Sequence, residues 1–179
     1  MINKYILIMA LILLASGCLD SKGNSICSIE EMQGIFVPQP SPEKSVRLEL
    51  DLMKQGLYCY DLPIFDKRWR ERGSEIKRSE RYKDTADKFD TKTRTFIVSD
   101  LAIVYFPEDS SLGPVFLFRI PEGWVIDRTA VWEYIHYNYT NDGWYAYDGK
   151  YPYLEMLRQV YDMKPVRLKG GIRAWETVK

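Results

Sequence analysis

One histidine and three cysteines among 179 residues leave too few soft ligands for a zinc cluster, and a Cys–His nucleophile pair would have only His136 as its base. Net charge is missing as well. The chain carries 25 basic and 25 acidic side chains, so no global field favours a polyanion, and no nucleic-acid partner is expected. The longest apolar run, Tyr5 to Ala15, is eleven residues, short of the roughly 20 that span hydrocarbon as a helix. No Gly-rich phosphate loop, nucleophile elbow or metal-ligand spacing occurs, so neither a cofactor nor a metal is expected. What the chain does have is 46% hydrophobic and 28% charged residues, which excludes collagenous, low-complexity and wholly disordered classes and leaves one domain of ordinary size.

Lys4, the apolar run behind it, and then Ser16, Gly17 and Cys18 have the architecture of a secretory signal over residues 1–17. Leu14-Ala15-Ser16-Gly17-Cys18 resembles the lipobox of bacterial lipoproteins, in which cleavage falls just before a lipid-bearing cysteine. The resemblance implies lipid attachment at Cys18 and the membrane as a partner through that lipid. In Gram-negative lipoproteins Asp directly after the cysteine favours the inner membrane. Leu19 stands there, which implies the periplasmic leaflet of the outer membrane. Residues 18–26 are then the lipidated cysteine and a polar tether, and residues 27–179 a single α+β domain. Cys27 and Cys59 remain in an oxidising compartment. They either bridge a loop of about 32 residues, worth about 3 to 4 kcal/mol, or are two buried thiols.

Ser41-Pro42-Glu43 combines an N-cap hydroxyl, a proline at the first helical position and an acid facing the helix dipole. Val46, Leu50, Met53 and Leu57 then recur at helical spacing, with Leu48 and Leu52 widening the stripe and Gly56 as a stop. A second helical piece is expected from Leu62 or Pro63. Residues 66–94 hold 11 basic and 7 acidic side chains, a solvated segment that is either an exposed surface of mixed-sign pairs or a basic face toward anionic headgroups or wall polymers. From Thr93 the period becomes strand-like: Phe96 and Val98, then, after a shift of face, Ala102, Val104 and Phe106. This is one long bent strand or two short ones. Val115 to Ile120, a turn at Pro121-Glu122-Gly123, and Trp124 to Asp127 complete an antiparallel meander.

Three pieces of this region resemble the NTF2-like (cystatin-like cone) superfamily, especially small bacterial lipoproteins of that fold: Ser41 to Val46 running on to Lys54-Gln55-Gly56-Leu57-Tyr58, Ser99 to Tyr105, and Val115 to Phe118 followed by Glu122 to Asp127. The resemblance covers residues 41–128. It implies N-terminal helices packed on a curved antiparallel sheet, with residues 66–94 as a charged insertion and 129–179 as an aromatic-rich C-terminal extension. That fold hosts enzymes, binders and scaffolds alike.

Residues 132–161 contain ten aromatic side chains, which are either a wet surface for a glycan or protein partner or the amphipathic core and rim of a small domain. Pro152 to Tyr161 is expected to be a short helix. Val166 to Trp175 resembles the closing motif of rhodanese domains, but Ala146 stands where the loop cysteine would, which excludes sulfur transfer by that route. Two functional classes follow. One is a non-enzymatic binding or scaffold module for a cell-envelope protein or peptidoglycan, with Trp132, Trp144, Tyr147 and Asp127 as candidate ligand-binding residues. The other is a small hydrolase or isomerase whose carboxylate, Asp100 or Asp127, sits at the mouth of a cone with a raised pKa. His136, the single imidazole, reads as a packed or surface residue.

Overall fold

The computed structural model describes residues 38–54, 62–72, 92–109, 112–138 and 143–178. Cys18, Cys27, Cys59, the leader, the tether and most of the charged insertion lie outside the described residues. Helices α1 (Pro42–Lys54) and α2 (Lys67–Arg72) precede a meander of β1 (Arg94–Val98), β2 (Leu101–Tyr105), β3 (Val115–Ile120) and β4 (Gly123–Ile126). After it come α3 (Arg128–Tyr134), β5 (Ile135–Asn138), β6 (Gly143–Tyr147), α4 (Tyr153–Val160), β7 (Met163–Arg167) and β8 (Arg173–Thr177). The class is α+β with antiparallel sheets, the first in the order β1-β2-β3-β4 and the second β5-β6-β8-β7.

The strand-like stretch from Thr93 is two strands because Ser99 takes a left-handed φ of 55°, which allows a two-residue hairpin turn between the paired Val98 and Leu101. Ladder partners share a face, so Ala102, Leu117 and Ile126 lie on one side of the first sheet, and Ile103 and Phe116 on the other. Both faces are covered at β2 and β3. The first packs with Val46, Leu52, Met53, Leu62 and Phe65. The second packs with Leu154, Leu157, Trp144 and Ala146 from α4 and the second sheet. A sheet buried on both sides needs apolar residues without alternation, which is how LAIVY and VFLF read.

Two expectations require correction. No helix starts at Leu62 or Pro63, because Leu62 to Phe65 forms a turn closed by Phe65 N–H on Leu62 O at 3.0 Å. Helix α2 begins after Asp66, whose Oδ1 accepts from Trp69 N at 2.9 Å. The core face of α1 is also rotated from the expected stripe: Pro42, Ser45, Val46, Glu49, Leu52 and Met53 are buried, with Leu48 and Leu50 only partly so. Ser45 turns inward because its hydroxyl donates to Trp124 O at 2.8 Å, and Glu49 because it meets Arg128.

The outer edge of β4 is taken up by chain from before and after α1. Trp124 N–H donates to Gln39 O at 2.8 Å and Ile126 N–H to Ile64 O at 2.7 Å, and Asp66 N–H donates to Ile126 O at 2.9 Å. Pairing this edge removes an exposed template for aggregation, and it delivers Asp66 to the start of α3. Glycine is needed at 123, where φ is +143° and a Cβ would come within 2.6 Å of Gln39 O.

The C-terminal region is no appendage to the meander. Tyr153 stacks on Phe116 with centroids 4.3 Å apart, and its hydroxyl lies 3.1 Å from Leu117 O. Helix α4 is thereby fixed to the middle of the first sheet. The expected helix from Pro152 to Tyr161 is present as Tyr153–Val160.

Candidate functional site

Asp66 and Asp127 converge on the N-terminus of α3. Asp127 Oδ1 accepts from Ala130 N at 2.9 Å, a side-chain cap on a helix that needs one. Asp66 Oδ1 accepts from the Thr129 hydroxyl at 2.7 Å and Oδ2 from Thr129 N at 3.0 Å. One buried carboxylate therefore caps α2 and ties α3 to it. Beside them Glu49 pairs with Arg128, whose guanidinium carbon sits 5.9 Å from the centroid of Phe65. The second Asp127 oxygen, Oδ2, is 3.2 Å from the Tyr153 hydroxyl, so both carboxylate oxygens serve the fold.

Burial holds the Asp127 carboxyl above its ordinary 3.8, and the negative charge of Asp66 pushes in the same direction. A carboxyl raised in the fold binds its proton more tightly there than in the unfolded chain. Its stabilising contribution is thus complete below the ordinary value and is lost as pH rises through the folded one. Asp127→Asn keeps a capping side chain and is expected to flatten this fall. Urea unfolding over a pH series beginning near the ordinary carboxylate range reads the difference in slope, and equal slopes for both proteins would refute it.

The other candidates separate by exposure. Asp100 is exposed in the β1–β2 turn, and its backbone carbonyl accepts from Arg119 N–H at 2.8 Å. Trp144 is 1% exposed and meets Tyr161 edge-on at 5.0 Å, so its ring belongs to the core. Tyr147 is half-buried and His136 exposed, their rings 6.0 Å apart. Most of the aromatic run is core or rim: Tyr151 and Tyr153 are buried, and Tyr134 stacks on Tyr151 at 4.0 Å. Among the described residues of the run, Trp132 is the exception.

Trp132 is 70% exposed and lies 6.1 Å from the buried Trp69. The α2–α3 contact that holds the two rings also carries the Arg68 Nη2–Glu133 Oε1 pair at 2.7 Å, with exposed Lys67 and Arg70 on α2. A large apolar ring thus stands exposed beside a buried neighbour and next to cationic side chains.

A concavity of about 350 Å³ lies against β7 and β8 and is lined by Asp148, Pro165, Arg167, Arg173 and Trp175 among others. Sequence reasoning passed over it, since these residues meet only when β8 inserts between β6 and β7. The one available signal was the Gly170-Gly171 pair, which turns the hairpin with φ of 84° and 80°.

Among the described residues no group of three or more His, Cys, Asp or Glu side chains is placed to hold a metal ion, and no helix is long and apolar enough to cross a membrane. Comparison with family models, curated proteins and solved structures finds no match to this chain.

Proposed function

We propose that this chain is a lipid-anchored envelope protein, held through Cys18 at the periplasmic leaflet of the outer membrane, and that it works as a non-enzymatic binding module for a cell-envelope protein or peptidoglycan. The observation that carries the binding reading is Trp132, 70% exposed while its neighbour Trp69 is buried beneath the same surface. A tryptophan of that kind supplies large contact area at little conformational cost. The carboxylate-enzyme alternative has less support, because both Asp127 oxygens are engaged and Asp100 is exposed in a turn.

We further read the fold as an elaborated NTF2-like cone. An N-terminal helix packed on one face of a meander with the order β1-β2-β3-β4 supports that assignment, and the second sheet is then an addition outside the family pattern.

Two measurements test the proposal. Cys18→Ser is expected to abolish acyl labelling and to release the protein from sedimented membranes, and membrane retention with unchanged processing would overturn the anchor. For binding, the detergent-solubilised chain is incubated with purified sacculi and with envelope extracts. Trp132→Ala is expected to lower retention about 10- to 30-fold, the loss of one central aromatic anchor, while changing folding stability by less than about 1 kcal/mol, as for an exposed side chain. Undiminished retention of the variant would remove the binding reading.

A further inference from the structure

Arg167 and Arg173 stand directly opposite each other in the β7–β8 ladder. Like charges in that relation weaken an antiparallel pair. Among the described residues only Arg173 is answered: Asp148 Oδ2 lies 3.1 Å from its Nε. Arg167 is exposed and has no ion-pair partner among the described residues. The next ladder pair on the same face is Pro165 with Trp175. The Trp175 indole points its Nε1 at Asp148 Oδ1 across 3.4 Å, and the Arg158 guanidinium carbon sits 4.5 Å from the ring centroid.

These groups line or border the 350 Å³ groove, and together they make an unusual set: two opposed guanidiniums, an indole held in place by its own N–H, and one carboxylate. The guanidiniums match a carboxylate ligand, which two forks can take bidentately. The part of the Trp175 indole that lines the groove suits an apolar ring face. Asp148 spends one oxygen on each of its partners and keeps lone pairs for ligand hydroxyls, and its negative charge disfavours a phosphate dianion in the same space. The volume is at the small end of ligand sites, which run from about 300 to 1,000 Å³, so the occupant has one or two rings.

We propose that the β7–β8 groove, through Arg167, Arg173, Trp175 and Asp148, binds a carboxylated sugar of the uronic-acid type. The site is separate from the Trp132 surface and does not depend on what that surface contacts.

The test is calorimetric titration of the detergent-solubilised full chain with glucuronate, glucose and inorganic phosphate at one fixed ionic strength. Glucuronate is expected to bind at least tenfold more tightly than either glucose or phosphate. Arg167→Gln is expected to weaken glucuronate about tenfold, since a charge-assisted fork is lost, without lowering the thermal midpoint, because the variant also relieves the cross-strand repulsion. Arg167→Lys keeps the charge but not the fork and should fall between the two. Glucuronate bound no better than glucose, phosphate bound as well as glucuronate, or full glucuronate affinity in a folded Arg167→Gln protein would each overturn the proposal.

Discussion

Replacing Glu49 with alanine is expected to lower the unfolding free energy by about 3 to 5 kcal/mol, because it takes one carboxylate partner away from a mostly buried guanidinium. Glu49 is 1% exposed and pairs with Arg128, whose side chain is 18% exposed. The partial exposure of Arg128 places the effect toward the lower end of that range. The pair is costly to break without having been a large source of stability, since two charges had to leave water to form it. Replacing both partners, Glu49→Leu with Arg128→Met, should therefore lie closer to the wild type than Glu49→Ala alone. Urea unfolding of the single and double variants measures both. A Glu49→Ala protein within about 1 kcal/mol of wild type would mean that the pair is hydrated and not part of the core.

The second large effect concerns Trp144, a residue whose chemistry suits binding but whose position does not. Trp144→Ala is expected to cost about 3 to 5 kcal/mol, the usual range for emptying a buried aromatic site. The ring is 1% exposed, faces Tyr137 across the β5–β6 ladder and meets Tyr161 edge-on. Trp144→Phe keeps a ring and removes an indole N–H with no hydrogen-bond partner among the described residues, so it should cost less than half as much. An unchanged urea midpoint for Trp144→Ala would contradict the placement of this ring in the core. The contrast with Trp132→Ala, expected to affect retention and hardly stability, separates the two tryptophans by experiment.

Which residues of α1 face the core could be read only in part. Val46, Leu52 and Met53 were legible from apolar periodicity. Ser45 and Glu49 were not, because a polar side chain turns inward only where a distant partner waits, here Trp124 O and Arg128, each 79 residues away. The same holds for Asp66: as a lone acid after an aromatic turn it carries no signal, and its role arises when the edge of β4 pairs with the chain at Ile64 and Asp66. In the second half, ten aromatics in thirty residues announced either a surface or a core without choosing between them. Exposure decides the matter residue by residue.

Composition and local pattern by themselves determined the class of this chain. Proline and an N-cap before an apolar stripe specify α1, the β-branched and aromatic runs with a turn at Pro121-Glu122 specify the meander, and Leu154 and Leu157 mark α4. These are local signals, since capping, turn chemistry and side-chain period act over a few residues. Tertiary structure alone decided that β8 lies between β6 and β7, that Arg167 faces Arg173 beside Trp175 and Asp148, and that two carboxylates meet at the head of α3. Strand order and the pairing of buried charges depend on contacts between residues far apart in the chain. Those contacts form only where apolar burial has already brought the elements together, and no short-range pattern records them.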